Sequence, residues 1–348
     1  MQKNYIEERL KEFEDKKLEF DIYIVADVVN KTIKESNYEY QHANESEFFS
    51  RKEFAEIASA IFDVFGFVKV FYSEIEFINY ILEKHIKKND CIIFNFCRDG
   101  TFQGKKALIP SFCDLLNFRY TGSNAFTISL LREKYIYSCL LKSHSIPIPK
   151  TYKYNIDKGF VYESPAFNEK LIVKQVNESA SIGMDNENIF TYINNETSNK
   201  IINLCKKLNT NEVLVQEYID GIECEVCVIE QNNRFYALDP IAIIIENDLI
   251  INSKISNNYD YRFKLLENIK DIEICSKIRI IAEKTAQLLN IKNYARFDFR
   301  INKNNNFFLI DIAGTPYTIK HSSIAFLFTE VYKLKYADIY KVIINSLI

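Results

Sequence analysis

The chain has 348 residues, 47% hydrophobic, 26% charged and 14% aromatic, with 44 Lys and Arg against 47 Asp and Glu. That apolar share excludes an intrinsically disordered chain, and the length suggests about two or three domains. A net charge of −3 supplies no broad basic field, which argues against nucleic acid or an anionic membrane as partner.

Residues 1–17 form a charge-dense helical pattern without an apolar stretch, so no signal peptide is expected. No apolar run approaches the roughly 20 residues of a membrane span. Phe20–Val28 reads as a buried strand. Ser50 and Glu53 form a capping box, and behind it Phe54, Ile57, Ala58, Ile61, Phe62 and Phe65 share one helical face that Gly66 ends. Val68–Tyr72 and Cys91–Phe96 are further strands with a helix over Glu74–His85 between them, an alternation that predicts a parallel, doubly wound N-terminal unit.

Tyr120–Ser123 leads into a long helix expected over Asn124–Lys142, and Ile146-Pro-Ile-Pro149 is a stiff extended exit. Strands follow at Leu171–Val176 and Val213–Tyr218, with a helix near Ser198–Leu208 between them. Glu223–Glu230, Phe235–Leu238 and Ile241–Ile245 are strands, Glu273–Leu289 a helix, and Phe297–Ile301 with Phe307–Ile312 a hairpin. The last forty residues look helical. Most of the eight cysteines lie inside apolar runs. Cys224 and Cys227 have a CxxC spacing, but no second pair or nearby His follows, so buried thiols of a reduced, cytoplasmic protein are expected.

Several segments in order carry a resemblance: Asp99-Gly-Thr-Phe-Gln-Gly104, Tyr120-Thr-Gly-Ser123, Ile146-Pro-Ile-Pro149, Val173-Lys174, Ser181-Ile-Gly183, Val213–Gly221 with Glu223, Ala295-Arg-Phe-Asp298 and Asp311–Ser322. Together they resemble the D-alanine–D-alanine ligase group of the ATP-grasp superfamily over roughly Phe94–Ser323. The resemblance implies an α/β fold in three parts: a doubly wound N-terminal domain (1–123), a small central α+β lid (124–212) and a C-terminal ATP-grasp domain (213–348). It implies ATP-dependent ligation of a carboxylate to an amine through an acyl-phosphate, with amino acids or small amines as substrates and a homodimer as the assembly to test.

A triphosphate of about four negative charges needs lysines, backbone N–H donors and Mg²⁺ ligands converging on one cleft. By the resemblance, Lys134 and Lys174 meet the phosphates, and Glu178-Ser-Ala-Ser-Ile-Gly183 forms the phosphate loop, with Ser181 and Gly183 retained. Gln216, Glu217 and Ile219 meet the adenine, and Glu223 takes the ribose hydroxyls. Lys264, in Tyr259-Asp-Tyr-Arg-Phe-Lys264, contacts the γ-phosphate side; Leu265 stands where the family has a tyrosine. Arg296 stabilises the developing oxyanion and Asp298 holds Mg²⁺, both pointing to one strand face.

Asp311-Ile-Ala313 stands where the family has Glu-x-Asn, so one Mg²⁺ on Asp298 and Asp311 is expected and the ligand for a second is lost at Ala313. Tyr317 replaces a glycine. His321 and Ser322 match the acceptor-carboxylate position, and Glu47, with Glu45 as the alternative, matches the ammonium ligand of the first amino acid. Two other readings stay open: a sister ligase of specialised metabolism acting on other amino acids or peptides, and a nucleotide-binding pseudoenzyme.

Overall fold

The computed structural model describes residues 2–16, 20–31, 47–88, 90–100, 103–177, 184–246 and 248–348. The N-terminal part runs α1 (Lys3–Glu14), β1 (Asp21–Ala26), α2 (Arg51–Phe65), β2 (Val68–Phe71), α3 (Glu74–Lys84), β3 (Cys91–Phe96), α4 (Leu108–Leu116) and β4 (Arg119–Tyr120). Its strands pair in parallel in the order β2-β1-β3-β4, the doubly wound pattern expected of buried apolar strands alternating with helices. The Ser50 hydroxyl accepts from the Glu53 backbone N–H while the Glu53 side chain takes the Ser50 N–H, and Gly66 ends α2 at φ 73°.

The helix expected over Asn124–Lys142 is two helices, α5 (Ala125–Arg132) and α6 (Lys134–Ser143). Glu133 breaks it with ψ 76°, which makes Lys134 the first residue of α6. A central antiparallel sheet follows: β5 (Thr151–Asn155), β6 (Gly159–Phe160), β7 (Lys170–Gln175), β8 (Ile189–Thr191) and β9 (Glu212–Glu217), in the order β6-β5-β9-β7-β8. α7 (Asn194–Lys207) covers it through Ile201, Leu204 and Cys205.

The C-terminal sheet contains β10 (Ile222–Gln231), β11 (Arg234–Ala237), β12 (Ile241–Ile244), β13 (Arg262–Leu265), β14 (Tyr294–Ile301) and β15 (Phe307–Ala313). Its order is β13-β12-β10-β14-β15, with β11 on β10. α8 (Ser253–Asn258) precedes β13, and α9 (Ile272–Leu288) packs Ile278, Ala282 and Ala286 against Cys224, Val226, Phe297 and Phe299. Because strand side chains alternate, the charged residues between these apolar ones point to the other face. α10 (Ser323–Phe326), a π-helical turn over Leu327–Val331 and α11 (Asp338–Asn345) end the chain, so the last forty residues are helical only in pieces. α11 and α1 join the N-terminal sheet and part of the C-terminal one in a single core, with Ile6, Phe94, Ile229, Tyr340 and Ile343 among its buried members.

All eight cysteines are free thiols, and all but Cys139 are buried, as the apolar runs around them require. Among the described residues no helix is long and apolar enough to cross a membrane.

Candidate active site

The central and C-terminal sheets, with loops and α2 of the N-terminal part, line a shared cavity of about 820 Å³. Lys134 and Lys174 enter it from α6 and β7. The Lys134 ammonium sits 2.5 Å from Asp311 Oδ1, to which the Tyr137 hydroxyl also donates at 3.1 Å. Lys174 donates to the Gln216 side-chain oxygen at 3.1 Å and to the Ile310 carbonyl at 3.5 Å. Burial pulls the Lys174 pKa down to about 8, with Lys134 and Arg300 acting in the same direction. Gln216 in turn donates to Thr151 Oγ1 at 3.1 Å, so its side-chain amide bridges Lys174 and Thr151.

Glu217 and Ile219 line the cavity beside an apolar wall of Ile172, Tyr218 and Ile250. The Glu217 N–H is taken by the Lys150 carbonyl. Glu223 follows Gly221 on the same rim, 4.0 Å from Arg300 Nε. Burial raises its pKa, while Arg300 opposes the rise.

The floor is a row of charges set by β-pairing. Glu225, Asp298 and Asp311 are consecutive register partners across β10, β14 and β15. Arg296, two residues from Asp298, donates to it from Nε and Nη2, each at 2.8 Å, and its Nη1 lies 3.2 Å from Glu225 Oε1. Burial disfavours the Arg296 charge, but Asp298 and Glu225 hold its pKa well above the ordinary value. For Asp311 burial acts upward, yet Lys134 and Lys174 hold its carboxyl at about 2.

Asp298 and Asp311, two carboxylates on one sheet face, are oxygen donors of the kind that Mg²⁺ would take. Ala313, the register partner of Arg296, has no ligating atom. Among the described residues no group of three or more His, Cys, Asp or Glu side chains is arranged to hold a metal by itself.

Glu47 lies in the cavity wall and is buried. Its two carboxylate oxygens are each 2.7 Å from a lysine, Oε1 from Lys105 and Oε2 from Lys106. Ser322 and His321 line the cavity too. Ser322 Oγ is also the N-cap of α10: it accepts from the Ala325 N–H and donates to the Ile319 carbonyl at 2.6 Å. The His321 ring packs 4.4 Å from Tyr259, 4.9 Å from Tyr261 and 5.4 Å from Phe263. Burial lowers its pKa, and its Nε2 has no hydrogen-bond partner among the described residues.

Lys264 is not brought to the cavity. It is exposed and alternates with Tyr261 and Phe263, which do line the wall. Glu178, Ser181, Gly183 and Glu45 lie outside the described residues. Sequence reading missed Arg98, Lys106, Arg132, Glu225 and Arg300, all in the wall. Glu225 was within reach of a period-two argument from Glu223, and Arg300 from Arg296 and Asp298. Arg98 and Lys106 carried no local signal beyond standing next to the Asp99–Gly104 segment.

The fold recurs in solved structures. A D-alanine–D-alanine ligase from Bacillus anthracis complexed with ATP superposes with a TM-score of 0.63 at 14% identity, covering 94% of this chain and 97% of that one. The enzyme from Coxiella burnetii gives 0.63 at 13%, covering 94% and 95%. This is the ATP-grasp fold. D-alanine–D-alanine ligases of Aquifex aeolicus and Petrotoga mobilis are 25% and 28% identical to this chain, over 63% and 61% of it and 68% and 67% of theirs. A family model described as D-ala D-ala ligase C-terminus matches residues 152–345. The chain belongs to that family, and it is an ATP-dependent, ADP-forming ligase that joins a carboxylate to an amine.

Proposed function

We propose that this chain transfers the γ-phosphoryl group of ATP to the carboxylate of one amino acid and passes the acyl group to the amine of a second amino acid or small amine. The carboxylate has no good leaving group until it is phosphorylated. Attack by the amine then forms the amide and releases phosphate, with ADP as the other product. The relatives are named for D-alanine, so that amino acid is the first substrate to try.

The observation that carries this reading is the position of Arg296. Its guanidinium is paired with Asp298 and Glu225, beside Asp311 in the sheet register, in the cavity that also holds Lys134 and Lys174. Asp298 and Asp311 would hold one Mg²⁺, which when bound neutralises phosphate charge. Lys134 and Lys174 bind the phosphates, and Gln216 keeps Lys174 directed at them. Ile172, Tyr218 and Ile250 form a dry slot for a flat base, with Glu223 at its rim for two hydroxyl donors. Arg296 offers charge where the oxyanion develops, the usual origin of the largest rate effect. His321 and Ser322 border the acceptor end.

The deciding measurement is ADP release with Mg-ATP over a panel of D- and L-amino acids, beside a melting curve with Mg-ATP alone. Amino-acid-dependent ADP release is expected. Stabilisation by Mg-ATP with no amino acid raising ADP release would overturn ligation in favour of a nucleotide-binding pseudoenzyme.

A further inference from the structure

At the rim of the apolar slot, Arg300 and Glu223 are register partners across β14 and β10, and both side chains line the cavity. Arg300 is buried. Its Nη2 donates to the Leu249 carbonyl at 2.8 Å and to the Gly221 carbonyl at 3.2 Å. Its guanidinium lies 5.0 Å from the centre of the Tyr218 ring, and the Tyr218 hydroxyl donates to the same Leu249 carbonyl at 3.0 Å. The arginine is therefore pinned between the turn that enters β10 and the 249–251 segment, whose Ile250 and Ile251 wall the cavity.

The Arg300 Nε takes no part in this anchoring. It is buried, has no hydrogen-bond partner among the described residues, and lies 4.0 Å from Glu223 Oε2. That spacing is an ion pair but too long for a hydrogen bond, so the contact leaves the Glu223 oxygens able to accept donors from the cavity. Burial disfavours the Glu223 charge, and Arg300 is the strongest influence opposing it, with Lys174 and Arg296 adding less. A carboxylate that accepts two hydroxyls must be ionised and held still. A rigid cation beside it on the same sheet face supplies both conditions.

We propose that Arg300 is a positioning residue for nucleotide selectivity: it fixes Glu223 so that the carboxylate takes both ribose hydroxyls, and thereby sets the preference for a ribonucleoside triphosphate over its 2′-deoxy form. This rests on the ligase reading above, with Glu223 as the hydroxyl acceptor, and goes beyond it by assigning the selectivity to a residue that acts through Glu223. A 2′-deoxy sugar leaves a Glu223 oxygen in a desolvated site without its donor, and that loss is what the enzyme reads. Without Arg300 the carboxylate is free to turn away, and the two sugars become alike.

The test is calorimetric binding of Mg-ATP and of Mg-2′-deoxy-ATP, without amino acid, to the wild type, Glu223→Gln, Arg300→Met and the double variant. The wild type should bind ATP about tenfold tighter or more, the scale of one hydrogen bond to a charged group. Arg300→Met should bring that ratio close to one. The double variant should show the same ratio as Glu223→Gln alone, because the arginine acts through the carboxylate. Should Arg300→Met fail to fold, Arg300→Lys keeps the charge but cannot reach both carbonyls and Glu223 together; it should lose the ratio too, and an unchanged ratio there overturns the proposal.

Equal loss of affinity for both nucleotides in Arg300→Met would show that the arginine supports the slot as a whole, and overturns the proposal while leaving nucleotide binding standing. Equal binding of the two nucleotides by the wild type overturns it together with the ribose role of Glu223. No binding of either nucleotide by the folded wild type would instead bring down the ligase reading on which it rests.

Discussion

Asp298 and Asp311 stand directly opposite each other in the β14–β15 pairing, and each is held by a different cation, Arg296 and Lys134. Facing residues on one sheet side have Cβ atoms about 5 Å apart, close enough for both carboxylates to meet one ion. The next register pair on that face, two positions along, is Arg296 with Ala313. Where a ligating side chain could follow Asp311 on the same face, there is a methyl group.

Restoring an oxygen there should strengthen metal use. Ala313→Asn, alone or with Asp311→Glu, is expected to lower the Mg²⁺ concentration for half-maximal ADP release on the order of tenfold, the scale on which ligand-shell changes act. A Mg²⁺ titration of the three proteins checks it. Identical curves would show that one ion suffices and that no second site is missing.

Arg296→Ala should cost about 10²–10³ in kcat, with a smaller change in the affinity for Mg-ATP. Its removal also strands Glu225 beside Asp298, so the melting temperature should fall. Arg296→Lys keeps the charge but not the two-pronged contact, and should recover stability better than turnover. Equal losses in nucleotide affinity and kcat would assign Arg296 to ground-state binding alone.

The pH dependence follows from Lys174. Its folded-state pKa, pulled down to about 8 by burial, lies below that of the unfolded chain, so between these values the unfolded state binds more protons and this group makes stability rise with pH. Phosphate binding needs the protonated form. Affinity for Mg-ATP is therefore expected to be flat below about pH 8 and to weaken above it, approaching tenfold per unit. Calorimetric titration from pH 6.5 to 9.5 measures this. Lys174→Arg, which stays protonated, should abolish the alkaline decline.

Gly221 lies between β9 and β10 at φ 152°, and a Cβ there would lie 1.9 Å from the Ile301 carbonyl oxygen. Backbone on both sides leaves no flexible group to yield. Gly221→Ala should destabilise by roughly 3 kcal/mol or more and displace Glu223. Denaturant unfolding provides the number; an unchanged midpoint would mean that the two segments separate readily.

Much of the fold was legible because it is written in local periods and caps. The capping box at Ser50, the stop at Gly66, the buried runs at Ile22–Ala26 and Cys91–Phe96, and the alternation of Arg296 with Asp298 each follow from a few neighbouring residues. The break at Glu133 was not legible, since residues 124–142 are good helix formers and the interruption depends on how α5 and α6 pack.

By itself, then, the sequence determined the alternation of helix and strand and the membership of the charged face on β14 and β15, because strand geometry makes side chains two apart share a side. Tertiary structure alone decided which charges meet. Glu47 reaches lysines 58 and 59 positions away, Gln216 turns to Lys174, Arg98 donates to Thr315, and Lys264 is exposed outside the cavity. Such pairings depend on how sheets pack and register, and a charge's local neighbours carry no information about the partner that folding brings to it.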